Sequence, residues 1–262
     1  MLLIGKEIHP DYPLIIAANR DEKYDRPTES AAWRTDAASS PPILSGKDLS
    51  AGGTWLGISR SGRLGAITNY WGPEKVDPDA PSRGRLVNHF IQSSSAPADY
   101  AHMLEGRRNS NFEDFYLGGR YNGFNMVMGN VDSLWYYTNA DGEYPRPVQD
   151  GIHVISNDVM DTPWPKARTA VDWLQRLVRT NRLTSYSLLD LLSYTVEEDR
   201  QKDPVTPREK ALELAKTSIR IQFPRFGTRS SSVLLIDRDC RVRFIERCYF
   251  PLRESEFSFT IT

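Results

Sequence analysis

The sequence lacks several features that mark large classes of proteins. Its 262 residues contain two cysteines, Cys240 and Cys248, too few for the disulfide framework of a secreted protein, so we expect reduced thiols. No apolar run approaches the ~20 residues that span a bilayer. Lys6 and Glu7 interrupt the first apolar residues, so no signal peptide is predicted. These absences predict a cytoplasmic protein without a transmembrane segment.

The chain also lacks an excess of charge of either sign. Lys and Arg together number 33 and Asp and Glu 34, giving a net charge of −1. A protein that binds nucleic acid needs a basic surface that can displace counterions from phosphates. We therefore predict no nucleic-acid partner. The hydrophobic content of 39% and charged content of 26% are typical of a globular domain.

Common catalytic motifs are missing as well. The sequence has no G-x-x-x-x-G-K-[ST] or G-x-G-x-x-G phosphate loop, no H-E-x-x-H helix and no G-x-S-x-G elbow. The four histidines are scattered without the spacing of metal ligands. Neither a metal site nor a resident cofactor is predicted.

Apolar runs bounded by turn residues predict strands at both ends of the chain, with helices between them. The predicted strands are Leu2–Ile4, Leu14–Ala18, Thr54–Ile58, Leu64–Asn69, Phe124–Val131, Leu134–Thr138, Ile152–Ser156, Ser230–Ile236, Val242–Arg247 and Phe257–Ile261. Helices are predicted to begin near Arg85, at Pro97, at Thr162-Pro163, at Leu188 and at Thr206-Pro207. This order predicts one α+β domain over residues 1–262, with antiparallel sheets and helices on their outer faces.

Four polar residues, Asn19-Arg20-Asp21-Glu22, directly follow the apolar run Leu14–Ala18. Charges at the end of a buried strand must reach solvent, pair with each other or face a cleft. One explanation is an ion-pair cluster that fixes the fold. The other is a functional site in which Arg20 holds an anionic or carbonyl group and Asp21 orients a nucleophile.

Other polar residues follow or precede predicted strands in the same way. Asn69 and Asn157 each follow an apolar strand, where an asparagine either caps a turn or offers an N–H to a developing oxyanion. Arg229 precedes a strand and is predicted to pair with Asp21 or Glu22. Trp55 and Tyr70 are candidates for contact with a ligand, with packing as the alternative.

The ordered segments resemble those of the NRDE family, the transport and Golgi organisation 2 family. They are Ala18-Asn19-Arg20-Asp21-Glu22, Arg26-Pro27, Gly52–Gly57, Thr68-Asn69-Tyr70, Tyr121–Asn125, Ser156-Asn157, Thr162-Pro163-Trp164 and Gly227–Ser230. The resemblance runs across nearly the whole chain. It implies an N-terminal-nucleophile-hydrolase-like fold, a four-layer αββα sandwich of two antiparallel sheets.

The family is more distantly similar to cysteine hydrolases that cleave bile-salt and penicillin amides. In those enzymes an N-terminal cysteine attacks the carbonyl, and its own α-amine serves as the base. By motif position, the resemblance implies that the catalytic places are filled here by Arg20, Asp21, Asn69, Asn157 and Arg229. Asn19, Glu22, Trp55 and Tyr70 are the candidate substrate contacts.

The chain departs from the family at Leu2, where the family has its cysteine. Leucine has no nucleophilic atom, methionine is not normally trimmed before it, and both cysteines lie far away in sequence. One hypothesis is therefore a binding or trafficking protein for an amphipathic molecule. The resemblance implies haem, a lipid or an acyl-coenzyme A as that ligand, and association with mitochondria or Golgi.

Two other hypotheses stay open. The chain is an amidase or thioesterase if position 2 is a cysteine in the natural protein. It is a structural or interaction protein if the polar cluster only stabilises the fold, in which case Arg20→Ala lowers stability without affecting a ligand.

Overall fold

The computed structural model describes residues 1–35, 40–72, 76–106, 120–140, 142–196, 213 and 215–262. They form two compact units, each assembled from separate chain segments. Unit 1 comprises Met1–Arg26, Asp150–Ile155 and Asp161–Phe259, and unit 2 comprises Pro27–Gln149, Ser156–Met160 and Thr260–Thr262. Each unit has its own sheet, and one domain over residues 1–262 stays a prediction.

Unit 1 contains a six-stranded antiparallel sheet in the order β10-β1-β2-β11-β12-β13. Numbered along the whole chain, its strands are β1 (Leu2–Lys6), β2 (Leu14–Lys23), β10 (Gly151–Ile155), β11 (Phe226–Ile236), β12 (Arg241–Tyr249) and β13 (Leu252–Thr260). Its helices are α3 (Pro165–Arg179) and α4 (Ser185–Leu192).

The two faces of the unit 1 sheet have different surroundings because strand side chains alternate between them. Leu3, Ile15, Ala17 and Val233 pack with the helices in one apolar core, to which α3 and α4 contribute Ala167, Ala170, Leu174, Leu188, Leu189, Leu191 and Leu192. We call this the helix-facing side. The opposite side, called the second face below, carries buried apolar residues as well: Leu2, Ile4, Leu14, Ile16, Leu234, Ile236 and Phe244.

The starts of both unit 1 helices differ from the prediction. Helix α3 begins at Pro165 with Trp164 as its N-cap and no side-chain cap hydrogen bond, so the start predicted at Thr162-Pro163 is wrong by two residues. Helix α4 begins three residues before Leu188. Thr184 caps it and accepts a hydrogen bond from the Ser187 amide in a capping box.

Unit 2 contains a seven-stranded antiparallel sheet whose order follows the chain, from β3 to β9. The strands are β3 (Thr28–Arg34), β4 (Ile43–Asp48), β5 (Leu56–Ser59), β6 (Leu64–Asn69), β7 (Phe124–Gly129), β8 (Leu134–Thr138) and β9 (Arg146–Pro147). The helices are α1 (Gly84–Gln92) and α2 (Pro97–Glu105), which bury Leu86, Val87, Phe90, Tyr100 and Leu104 in the core of this unit.

The predicted α+β class with two antiparallel sheets is confirmed. Strands β3, β4 and β9 are missing from the prediction, and the helix predicted at Thr206-Pro207 lies outside the described residues. Within the described ranges, no helix combines the length and apolar character that a membrane crossing requires. The same residues hold no cluster of three His, Cys, Asp or Glu side chains arranged for a metal ion.

Candidate functional site

The four polar residues Asn19 to Glu22 lie inside β2, not after it as predicted. The strand continues to Lys23 because β11 pairs with it beyond the apolar run, with Asn19 opposite Ser231 and Glu22 opposite Gly227. Alternation along β2 places Asn19 and Asp21 on the helix-facing side and Arg20 and Glu22 on the second face. The side chains of the motif therefore lie in two different environments, one on each face of the sheet.

Asn19 ties the strand to the helical layer. Its Nδ2 donates to the carbonyl oxygens of Leu192 at 2.9 Å and Ile219 at 3.0 Å. Its Oδ1 accepts from the Ser231 hydroxyl at 2.6 Å. Both amide hydrogens are thus used within the fold, and contact between Asn19 and a ligand stays a prediction.

Asp21 lies at the partly exposed end of β2, where Thr228 holds its carboxylate. The Thr228 hydroxyl donates to Asp21 Oδ1 at 2.6 Å. The negative charge also acts on two buried amines, the ε-amine of Lys166 and the α-amine of Met1. The Met1 amine itself donates to the Asn19 carbonyl at 3.1 Å. One carboxylate therefore serves as the counter-charge for two amines.

Burial dominates the titration of both amines, because a charged amine loses its hydration. It lowers the pKa of the Lys166 ε-amine to about 8, against the opposing effect of Asp21. It also lowers the pKa of the Met1 α-amine to about 6, where Asp21 raises it and Lys166 lowers it further. The Lys166 side chain is 0% exposed, and Nζ has no hydrogen-bond partner among the described residues.

Lys166 is absent from the predicted site residues, although the sequence carries a signal for it. The residue falls on the same helical stripe as Ala170 and Leu174, which are buried. It is also the second residue of α3, where the helix dipole disfavours a cation. A lysine is unfavourable both on a buried stripe and in the first turn of a helix. Its presence here indicates a charge held inside the fold.

Arg20 lies at the polar end of the second face. Its side chain is buried, and it stands directly across from Ser230 of β11, which stands across from Cys248 of β12. The neighbouring row across the strands contains Leu2, Ala18, Ser232 and Glu246. The second face is thus apolar along most of its length and polar where β2 and β12 reach Arg20 and Cys248.

Glu22 stands one step further along the same face. Its Oε1 accepts from the Lys23 amide at 2.8 Å, and its Oε2 lies 3.7 Å from Arg26 Nε. Glu22 is partly exposed, in contrast to Arg20. The polar end of the second face therefore opens toward solvent at this residue.

Arg229 has a different partner set from the one predicted. A bulge in β11 between Thr228 and Ser230 turns it out of the regular alternation. Its Nη1 donates to the carbonyl oxygens of Lys23, Tyr24 and Arg26 at 2.9, 2.8 and 2.9 Å. The guanidinium thus holds the turn after β2, and the predicted pairing with Asp21 or Glu22 is replaced by these carbonyl contacts.

In unit 2, the structure brings Asn69 and Asn157 together. Asn157 Nδ2 donates to the Asn69 carbonyl at 3.3 Å, and the Asn157 carbonyl accepts from the Trp71 amide at 2.7 Å. Asn69 is exposed at the end of β6. One amide hydrogen of Asn157 is therefore used in holding this loop, and oxyanion binding by the two asparagines stays a prediction.

Tyr70 and Trp55 lie in the same unit. The Tyr70 amide donates to the Gly123 carbonyl at 2.9 Å, and its ring lies against Gly72 and Gly123, where a Cβ would clash. Trp55 is partly buried, and its carbonyl accepts from the Ile67 amide at 2.9 Å. Contact between these two aromatic residues and a ligand stays a prediction.

The sequence of the chain matches one protein family almost throughout. Residues 1–251 fit the family model described as Transport and Golgi organisation 2. The Transport and Golgi organization 2 homolog of Mus musculus is 34% identical over 258 residues, covering 90% of this chain and 86% of the relative. The Homo sapiens homolog is 33% identical over 254 residues with the same coverage.

Among solved structures, the chain is similar to a mutant of the conjugated bile acid hydrolase from Clostridium perfringens. The TM-score is 0.55 at 7% identity, covering 99% of this chain and 92% of that chain. Such a likeness concerns the fold alone, and it confirms the predicted fold class. The chain therefore belongs to the Transport and Golgi organisation 2 family and has an N-terminal-nucleophile-hydrolase-like α+β fold.

Proposed function

We propose that this chain binds an amphipathic small molecule on the second face of the unit 1 sheet, with haem, a lipid or an acyl-coenzyme A as candidate ligands. Position 2, where the family has its nucleophile, is a buried leucine that is 2% exposed. A leucine contributes apolar surface and no chemistry. The proposal includes a cytoplasmic location, where thiols stay reduced.

One observation carries the proposal. Ser230 is 4% exposed and its hydroxyl has no hydrogen-bond partner in the described part of the chain, and the residue stands directly across from the buried Arg20. A buried polar group without a partner costs free energy unless a ligand satisfies it. A carboxylate, phosphate or carbonyl head group would accept from both Ser230 and Arg20.

The apolar part of the same face suits the remainder of such a ligand. Leu2 and Ala18 adjoin the polar row, and Ile4 and Ile16 continue the apolar surface away from it; all four are buried, so a ligand tail must displace the side chains that cover them. Typical small-molecule sites combine apolar walls with a few convergent polar groups in this way. The partly exposed Glu22 and Cys248 mark the end from which a head group would be reached from solvent.

The test compares Ser230→Ala and Arg20→Gln with the unsubstituted chain. Haemin, oleate and palmitoyl-coenzyme A are titrated separately, and their dissociation constants are measured by tryptophan fluorescence and native mass spectrometry. Loss of a charge-assisted hydrogen bond weakens binding by about 10- to 100-fold, so we expect this for Arg20→Gln and a smaller loss for Ser230→Ala. Because the Ser230 hydroxyl has no partner among the described residues, Ser230→Ala should unfold at an equal or higher urea concentration.

The control is Arg243→Gln on the helix-facing side of β12, where the guanidinium pairs with Glu256 at 2.7 Å. It should leave binding unchanged. If none of the three ligands binds, or if Ser230→Ala and a folded Arg20→Gln bind as tightly as the control, the proposed function is wrong. Destabilisation by Arg20→Gln without any ligand effect would favour a structural role for the polar cluster.

The alternative function, hydrolysis of an amide or thioester, is favoured by the likeness to the hydrolase fold. It requires a nucleophile at position 2, and Leu2 does not supply one. It also requires donors for the oxyanion. Of the two predicted donors, Asn69 and Asn157, Asn157 already uses one amide hydrogen in a bond to the Asn69 carbonyl.

A further inference from the structure

The pairing of β2, β11 and β12 brings a thiol beside the polar end of the second face. Cys248 stands across from Ser230, and Ser230 stands across from Arg20. Side chains directly opposite each other in an antiparallel pair share a face and lie about 5 Å apart. Cys248 and Arg20 are therefore two strands apart on one face, although more than two hundred residues separate them in sequence.

A carboxylate lies next to this thiol. The Cys248 Sγ donates to Glu246 Oε1 at 3.6 Å, and Glu246 Oε2 accepts from the Ser232 hydroxyl at 3.4 Å. Glu246 is 1% exposed, whereas Cys248 is partly exposed. This arrangement places a potential nucleophile at an accessible position and a buried base within reach of its proton.

Two donors stand on the side of Cys248 away from β13. The Ser230 hydroxyl is buried without a partner among the described residues, and it projects from the same face as Cys248. Arg20, two strands from Cys248, follows in the same row. Hydrogen-bond donors fixed beside a nucleophile stabilise the oxyanion that forms when a carbonyl is attacked.

We propose that Cys248 accepts an acyl group from a thioester ligand held on the second face. The Cys248 sulfur attacks the thioester carbonyl while Glu246 takes the thiol proton. The carbon–sulfur bond to the leaving thiol then breaks, and Glu246 returns the proton to the departing sulfur. The products are S-acyl-Cys248 and a free thiol, so the exchange needs no oxidant or other reactant.

This inference rests on the proposed function, because the second face must first hold the thioester. It also predicts a reactive thiol at Cys248, which ligand binding alone does not require. A thiol that only fills space would react no faster than Cys240, which is exposed in the turn between β11 and β12. Cys240 is therefore a control thiol within the same chain.

The experiment incubates the full chain with octanoyl-coenzyme A and follows intact mass and cysteine-containing peptides over time. We expect a mass increase of one octanoyl group, located on Cys248 and removed by neutral hydroxylamine. Cys248→Ser should abolish the adduct and Cys240→Ser should keep it. Glu246→Gln preserves size but removes the base, and it should slow acylation by about 100-fold or more.

Two controls separate this inference from the proposed function. Cys248→Ser should still bind octanoyl-coenzyme A, measured by native mass spectrometry, because the acyl acceptor is not needed to hold the ligand. Binding without acylation of Cys248, or equal acylation of Cys240 and Cys248, would overturn the inference and leave the proposed function standing. Absence of both binding and acylation would overturn this inference and the acyl-coenzyme A form of the proposed function, whose haem and lipid forms are decided by the titrations with haemin and oleate. If Glu246→Gln fails to fold, Ser230→Ala replaces it and should slow acylation by about 10-fold at saturating octanoyl-coenzyme A, where weaker binding does not limit the rate.

Discussion

At the scale of single residues, Lys166 is the clearest case of a charge held against its physical preference. Its ε-amine is fully buried, and its counter-charge is the carboxylate of Asp21. The pKa of about 8 lies below the ordinary value of 10.5. Since each unit of pKa is worth about 1.4 kcal/mol, keeping this amine charged in the fold at neutral pH costs about 3 kcal/mol.

Lys166→Met should therefore raise the free energy of unfolding at pH 7 by about 1 to 3 kcal/mol, because methionine fills similar space without a charge. Between pH 8 and 10.5 the unfolded chain binds more protons than the folded one, so the stability of the unsubstituted chain rises with pH. The difference in the free energy of unfolding between Lys166→Met and the unsubstituted chain should therefore decrease over this pH range. Urea unfolding at pH 7 and pH 10 measures both effects.

Lys216→Met is the matched control for that substitution. Lys216 lies 5.8 Å from the ring of Trp164, compared with 5.4 Å for Lys166, but it pairs with Glu213 at the surface. Its substitution should change stability by less than about 1 kcal/mol at either pH. A lower stability of Lys166→Met at pH 7 would mean that the Lys166 charge makes a net favourable contribution.

At the scale of elements, the β11 bulge decides the role of Arg229. The residue precedes the predicted strand Ser230–Ile236, and its charge makes a carboxylate partner the natural expectation. The bulge directs the guanidinium instead to the turn after β2. Gly227 supports the same corner, since a Cβ there would collide with the Tyr24 hydroxyl and the Ile221 carbonyl.

Arg229→Met should lower the free energy of unfolding by about 2 to 3 kcal/mol, because three carbonyl oxygens lose a charged donor. Arg243→Met serves as the control. The Arg243 side chain is 43% exposed and pairs with Glu256, so its loss should cost less than about 1 kcal/mol. Urea unfolding checks both values, and equal stabilities of the two variants would contradict the clamping role.

The differences between predicted and observed elements have identifiable causes. Local apolar patterns predict the strands around Leu14, Leu64 and Phe124 correctly. They miss β3 and β4, because one has a single buried position and the other continues through Ser45 and Gly46. The extension of β2 through its charged residues depends on β11, a partner that no local pattern reveals.

At the scale of the whole molecule, the family and fold class follow from the ordered motifs, but the surroundings of each motif residue do not. The positions of Arg20, Asp21, Asn69, Asn157 and Arg229 are set by the motif. Whether their polar atoms point at a ligand or at the backbone depends on strand register. The place of Cys248 beside Ser230 likewise follows only from the pairing of β11 with β12.

Leu2→Cys tests whether the fold retains hydrolytic capacity. We expect no turnover of amide or thioester substrates above that of Leu2→Ala, since Asn157, one of the two predicted oxyanion donors, uses an amide hydrogen within the fold. Removal of Met1 from the variant is verified by intact mass before the assay. Turnover that appears only in Leu2→Cys would favour the hydrolase alternative over binding.

The interleaved order of the chain has a consequence for its synthesis. The partner of β2 is β11, and Asn19 meets a serine 212 residues later. At about 5 to 20 residues added per second, β2 emerges from the ribosome on the order of 10 to 40 s before its neighbour exists. During that interval the apolar residues of β2 are not yet covered by β11. The backbone groups on the β11 edge of β2 are also unpaired, which favours aggregation. Nascent chains of this protein should therefore depend on chaperones until β11 has been made.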